Sequence, residues 1–151
     1  MDEKTLSPRE RIEAVEKRRA ERKVELAKER EAQEATDLEA IDALEMEHGA
    51  GGVARLDLER FAKGLPTCVA LRTPDPAQYK RFVDQVGKAV EKNNQGARRD
   101  AQDLFAKSCW AYPAEQEARD RMLEQFPGLL VSIAIRAAQL VEAKAAEEGK
   151  G

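Results

Sequence analysis

The 151-residue chain is poor in the residues from which most reactive sites are built, with one His, two Cys and 5% aromatic residues. A transition-metal site needs several convergent ligands, and His48 beside Glu45 and Glu47 lacks a further ligand type at any recognised spacing. Cys68 and Cys109 have no CxxC spacing, which is typical of small buried hydrophobes and not of a disulfide framework. We therefore expect neither a metal nor another cofactor.

Nucleotide-binding and catalytic motifs are also missing. The chain has no GxGxxG sequence, and its glycine cluster at 49–52 is not followed by the Lys-Ser/Thr of a phosphate-binding loop. The single His is far in sequence from either Cys, so no Cys–His nucleophilic pair is indicated. The sequence predicts a protein that is not an enzyme.

The chain lacks both a strong charge of one sign and a long apolar run. Its net charge is −3, and neither the acidic residues 1–48 nor the weakly basic remainder has the excess of Lys and Arg that binds a phosphate backbone. No apolar stretch approaches the roughly 20 residues of a membrane-spanning helix, and the N-terminus lacks the apolar core of a signal peptide. We expect a cytoplasmic protein that binds neither nucleic acid nor membranes.

Charged residues are abundant instead, at 36% of the chain, and they dominate the N-terminal third. Ser7-Pro8 with Glu10 predicts a capped helix start, and no Gly or Pro interrupts the segment before Gly49. The only apolar stripe consists of Leu38, Ile41 and Leu44, and the middle shows no sustained coiled-coil heptads. Residues 1–48 are predicted to form a charged helical arm, either solvated or docked on a partner.

Two short runs of β-type residues follow the glycine cluster. They cover 53–58 and 65–72 and flank a turn at Gly64, a pattern that predicts a β-hairpin. A lone hairpin is marginally stable in water, so it must pack on helices or pair with the edge of another chain. Self-association through the hairpin edge or the N-terminal helix is therefore an expectation.

Four helical segments complete the predicted fold, over about 76–92, 97–109, 115–126 and 129–146, and Gly or Pro breaks separate them. The last is apolar over most of its circumference, so it either runs through the centre of the domain or exposes one face to a partner. The chain is predicted to be mainly α, with a long charged N-terminal helix, a short β-hairpin and a compact bundle of about four helices. Its predicted parts are the arm 1–48, a hairpin and bundle domain 49–147 and a polar tail 148–151.

Three motifs carry a family resemblance. They are Leu71-Arg72-Thr73-Pro74 leading to Gln78-Tyr79-Lys80-Arg81-Phe82, then Cys109-Trp110-Ala111-Tyr112-Pro113, then Gln125-Phe126-Pro127-Gly128-Leu129. In this order they resemble the tail assembly chaperones of tailed phages or prophages, over about residues 50–145. The positions that mark the motifs are Arg72, Pro74, Pro113, Pro127 and Gly128.

The resemblance implies a non-enzymatic chaperone that binds the tape measure protein during tail assembly and helps to recruit tail tube subunits. It places client contacts near Tyr79, Phe82, Trp110, Phe126, Leu130 and Ile133. Large apolar residues are more often core than interface, so core packing stays open for each of the six. The alternatives are a structural protein retained in an assembled phage or phage-like particle and a cytoplasmic helical adaptor.

Overall fold

The computed structural model describes residues 5–150, with side chains for 5–149. Five helices and three strands follow one another as α1 Pro8–His48, β1 Val53–Asp57, β2 Cys68–Arg72, α2 Pro76–Glu91, α3 Gln95–Cys109, β3 Trp110–Tyr112, α4 Gln116–Gln125 and α5 Leu129–Lys150. A short 3-10 turn, Ala50–Gly52, joins α1 to β1. The predicted mainly helical fold, with its long N-terminal helix, hairpin and helical bundle, is confirmed.

Local hydrogen bonds and backbone conformation explain where helix α1 begins and ends. The Ser7 hydroxyl accepts a hydrogen bond from the Glu10 amide at 3.2 Å and donates one to the Glu10 carboxylate at 3.0 Å. The helix ends at Gly49, whose φ of 83° lies in the left-handed region that a residue without Cβ enters freely. Its 41 residues span about 60 Å at 1.5 Å per residue.

The sheet contains the predicted hairpin and one further strand. β1 and β2 pair antiparallel with Leu56 opposite Val69, and β3 pairs antiparallel with the other side of β2, giving the order β1-β2-β3. The strand β3 was not predicted, because its three residues follow α3 directly and are too few to show an alternating pattern.

The sheet is covered on both faces. Val69 and Leu71 of β2 belong to the larger core, which α3 and α5 complete, whereas Cys68 and Ala70 face the other way and pack with Ile41 of α1. This follows from the alternation of side chains along a strand. The C-terminal part of α1 is therefore docked on the domain, and the predicted arm is not a separate unit along its whole length.

The docked stripe of α1 differs from the predicted one. Ile41 is buried and Leu44 half-buried, as the stripe required, but Leu38 is half exposed and Asp37 takes its place in the interface. The N-terminal part of α1 is exposed, whereas Leu26 lines a hollow with the loop after β1 and Glu29 pairs with Lys63 at 3.5 Å.

The helical layer is centred on α3 and α5. α2 and α3 form a helical hairpin whose turn uses Asn93 in the left-handed region and Asn94 as the cap of α3. α5 buries Ile133 and Ala137 against the core, while Val131 on another face stays exposed, so the helix is central on one side and open on the other. The segment 148–151, predicted as a polar tail, continues α5 through Lys150, and Gly151 lies outside the described residues.

Candidate interaction surfaces

Asp37 is the one charged residue that is buried among residues 5–149. Its Oδ1 accepts hydrogen bonds from the Tyr112 hydroxyl at 2.5 Å and from Gln33 Nε2 at 2.8 Å. Its Oδ2 accepts from the Thr67 amide at 2.8 Å and from the Thr67 hydroxyl at 2.6 Å. A buried carboxylate needs such donors, and here they come from α1, from the loop before β2 and from β3. Asp37 thus fixes α1 across the sheet.

No local sequence signal marks Asp37 as an anchor. Asp37 lies in a helix crowded with acidic residues, where a carboxylate normally faces solvent. Only its position one helical turn before Ile41 puts it on the docked face. The donors Thr67 and Tyr112 are distant in sequence, so their convergence is a property of the tertiary structure.

Both cysteines are buried and unpaired. Burial raises the pKa of the Cys68 thiol to about 11, and the nearby Asp37 carboxylate adds to that rise. Burial also raises the pKa of Cys109. A raised thiol pKa keeps the reactive thiolate scarce at neutral pH, so neither group is suited to nucleophilic or redox chemistry.

We expect neither thiol to react readily with a thiol-specific reagent in the native chain at pH 8. Roughly one Cys68 thiol in a thousand is ionised at that pH when its pKa is about 11, and its burial blocks access as well. Absorbance after addition of Ellman's reagent measures this, with the chain unfolded in guanidinium chloride as the control in which both thiols react. Rapid labelling of one thiol in the native chain would contradict the buried placement.

Contacts with Arg119 hold Trp110 to Pro113, which belong to the second of the three sequence motifs, in place. The Arg119 guanidinium of α4 lies 5.3 Å from the centre of the Trp110 ring and donates hydrogen bonds to the carbonyls of Trp110 and Pro113 at 2.7 and 2.6 Å. The Trp110 indole donates to the Tyr112 carbonyl at 2.8 Å. Burial lowers the pKa of Arg119. These contacts give the motif a structural role, joining β3 to α4.

Two of the six predicted partner contacts lie in the core. Ile133 is 0% exposed and Trp110 is 4% exposed, and both belong to the cluster between the sheet and the helices. A partner that docks on the folded domain has no access to them. In the folded domain α5 and β3 turn these side chains towards β2 and α3, which is the core packing that the sequence had left open for both residues.

The other four are partly exposed and fall in two places. Tyr79 and Phe82 lie on α2, where the Phe82 ring stacks on Phe105 with the ring centres 4.2 Å apart. Phe126 and Leu130 lie at the junction of α4 and α5, and the Arg60 guanidinium covers the Phe126 ring at 4.8 Å. The structure does not bring the predicted contacts together into one patch.

The five positions that mark the sequence motifs are also divided between buried and exposed sites. Pro74 and Pro113 are buried, the latter after a cis peptide bond, whereas Arg72, Pro127 and Gly128 are exposed. Pro127 and Gly128 separate α4 from α5, and the Gly128 carbonyl accepts the first helical hydrogen bond of α5, from the Ser132 amide. The motifs are thus mainly points at which elements begin and end.

A partly apolar groove lies between α2 and α3. Two adjoining hollows form it, of about 180 and 400 Å³, and both are lined by Gln85, Ala101 and Leu104. Leu104 is 62% exposed although it is a large apolar residue. We call this the α2–α3 groove; its apolar lining is Phe82, Ala89, Ala97, Ala101, Leu104 and Phe105, and its charged lining is Arg81, Lys88, Lys92 and Asp100.

Between residues 5 and 149, no group of three or more His, Cys, Asp or Glu side chains is placed to hold a metal ion. In the same range no single helix is long and apolar enough to cross a membrane; α4 and α5 reach that length and composition only together, across a bend of 106°. Comparison of the chain with protein-family models, curated proteins and solved structures finds no match.

Proposed function

We propose that this protein is a non-enzymatic tail assembly chaperone of a phage or prophage, acting in the cytoplasm of the bacterial host. Its client is the tape measure protein, and it helps to recruit tail tube subunits to that client. Two lines of support exist. One is the order of the three sequence motifs, and the other is the α2–α3 groove, an apolar concavity that the chain leaves uncovered.

The α2–α3 groove carries the proposal. Contiguous exposed apolar surface on a small protein marks an interaction site, because leaving it in water is unfavourable. A groove between two neighbouring helices can accept the apolar face of a third helix. The apolar side chains of that helix, spaced three and four residues apart, would be its anchors in the groove. Phe82 and Leu104 of the groove lining supply the apolar contact for such anchors.

The charges of the α2–α3 groove indicate what the client helix carries beside its apolar face. Arg81 and Lys88 line it from α2 and Lys92 from the residue after that helix, and among the charged lining residues only Asp100 opposes them from α3. Basic side chains at the rim of an interface favour acidic partners and speed their association. We therefore infer that the client segment is an amphipathic helix with acidic residues flanking its apolar stripe.

Coexpression tests the proposed function directly. The tape measure protein encoded beside this chain should move from the insoluble to the soluble fraction when the chain is expressed with it, and the two should copurify. Quantitative gel analysis of both fractions measures the change. A tape measure protein that is equally insoluble with and without this chain would refute the chaperone function.

Leu104→Glu tests the α2–α3 groove as the client site. We expect this substitution to lower client affinity at least about tenfold, because a carboxylate in the groove lining must lose water when an apolar helix docks. Stability should change by no more than about 0.5 kcal/mol, since Leu104 is mostly exposed. Titration calorimetry with a client peptide measures the first effect and thermal melting the second.

Val131→Glu is the matched control, because Val131 is an exposed apolar residue on α5 away from the α2–α3 groove. We expect it to bind the client like the unmodified chain. Equal loss of affinity in both variants would contradict the groove as the specific site. Coexpression would then still report on the chaperone function separately.

One observation favours the alternative of a structural protein retained in the particle. The N-terminal part of α1 projects from the domain with Ile12 and Val24 mostly exposed, as expected of a segment that attaches to a neighbour. Mass spectrometry of purified particles decides between the two, because an assembly chaperone is left behind and a structural protein is recovered in stoichiometric amount.

A further inference from the structure

The outer edge of β1 carries unpaired backbone groups. β1 is the terminal strand of the sheet, and two hydrogen bonds fix which of its residues face β2: Leu58 donates to the Thr67 carbonyl and Thr73 donates to the Gly52 carbonyl. Hydrogen-bonded positions alternate along an antiparallel strand, so 54 and 56 also point their amides and carbonyls at β2. The backbone groups of Val53, Arg55 and Asp57 therefore point away from the sheet.

Open clefts flank this edge on both faces of the sheet. On the α1 face lies a polar cleft of about 330 Å³ lined by Arg55 and Asp57 together with Arg30 and Glu34 of α1. On the opposite face lies a more apolar cleft of about 450 Å³ that includes Leu56 and reaches Phe126. A strand added beside β1 would alternate its side chains between the two, so it needs charged and apolar residues in turn.

β1 itself has that alternation. Arg55 and Asp57 lie on the polar face, while Ala54 and Leu56 lie on the apolar one. We propose that a second copy of this chain pairs β1 with β1 in antiparallel register, Arg55 opposite Asp57 of the other copy, to form a two-fold symmetric dimer with a continuous six-stranded sheet. This inference does not depend on the proposed chaperone function.

Charge selects the register. With Arg55 opposite Asp57, each dimer has two cross-strand pairs of opposite charge, and Leu56 meets its own copy at the two-fold axis on the apolar face. The pairing that places Arg55 opposite itself satisfies the same backbone groups but sets like charges against each other, which is unfavourable. Within one chain Arg55 and Asp57 already form an ion pair at 2.8 Å, so both side chains are held at the edge.

The other edge of the sheet is a poorer candidate. β3 has three residues, its pairing with β2 is irregular, and Pro113 follows it immediately. A bulge and a proline are devices that prevent pairing at an edge. β1 is regular along its five residues and has no proline. Pairing along only five residues makes a small interface, so we expect a weak dimer with a dissociation constant on the order of tens of micromolar.

Charge reversal at the two positions tests the dimer by sedimentation velocity over a range of concentrations. Arg55→Asp alone and Asp57→Arg alone each set like charges opposite each other twice, and we expect each to weaken the dimer at least about tenfold. An equimolar mixture of the two variants restores both opposite-charge pairs, as does the double reversal in one chain. Both side chains are exposed, so thermal melting should show little change.

Each outcome of this experiment either supports or overturns the proposed dimer. Monomeric single variants, with a dimer regained in the mixture and in the double variant, support the proposal. A chain that stays monomeric at about 500 µM, well above the expected dissociation constant, overturns it and leaves the edge to an extended segment of another protein. A dimer that both single variants retain also overturns it, because the contact then lies elsewhere, for example on the exposed part of α1. A mixture that stays monomeric overturns the register.

Discussion

Asp37→Ala is expected to lower the free energy of unfolding by about 2–4 kcal/mol, because three donors lose their acceptor and each unsatisfied buried donor costs about 1–3 kcal/mol. These donors are the Thr67 amide, the Thr67 hydroxyl and the Tyr112 hydroxyl. A domain of this size has about 5–15 kcal/mol of stability in total, so the loss is a large share of it. Urea denaturation followed by circular dichroism and by the fluorescence of Trp110 measures it.

Asp42→Ala is the matched control, since Asp42 lies on the same helix and is exposed. We expect its effect to stay within about 0.5 kcal/mol. Asp37→Asn should fall between the two, because its amide group retains two acceptor sites but presents hydrogens to the donors of the other side. A loss below about 1 kcal/mol for Asp37→Ala would show that the carboxylate does not anchor α1.

Ile133→Ala is the second large effect, with an expected loss of about 2–5 kcal/mol from the buried methyl groups and the cavity left behind. Ile133 is fully buried between the sheet and the helices. Ile135 lies two residues further along α5 and is 51% exposed, so Ile135→Ala should change stability by no more than about 0.5 kcal/mol. Chemical denaturation of the two variants side by side gives the comparison.

Because both positions are Ile and both lie on α5, this pair of variants compares a buried position with an exposed one on the same helix. Equal losses for Ile133→Ala and Ile135→Ala would contradict the orientation of α5. Client binding adds an independent measurement: Ile133→Ala should bind as the unmodified chain does at temperatures where it is folded, because no partner reaches that side chain. A specific loss of binding with unchanged stability would return Ile133 to the interface.

Stability in this fold thus rests on two different contacts of the central sheet. The larger core on one face depends on apolar packing around Ile133, and the contact with α1 on the other face is small and is held by Asp37. Small apolar contacts supply little driving force, since burial contributes in proportion to area. A hydrogen-bonded carboxylate therefore has a disproportionate effect on whether α1 stays docked.

The candidate site was only partly predictable. The resemblance placed Phe82 among the client contacts, and in the structure Phe82 lines the α2–α3 groove. Nothing in the sequence singled out Leu104, a mostly exposed residue of the same lining, because a groove exists only once α2 and α3 lie side by side. The resemblance also placed Trp110 and Ile133 among the contacts, and their burial could not be read from the sequence, because large apolar residues occur in cores and in interfaces.

The sequence by itself determined where the helices and the hairpin begin and end. The local signals are Ser7 before Pro8, Gly49, Asp75 before Pro76 and the break at Pro127. They act through hydrogen bonds and backbone restrictions within a few residues, so their effects can be predicted from the sequence. Only the tertiary structure decided that Asp37 and not Leu38 faces the sheet, that Trp110 begins a third strand, and which apolar residues stay exposed. The physical reason is that these outcomes depend on partners such as Thr67 and Tyr112, which the chain brings near only by folding.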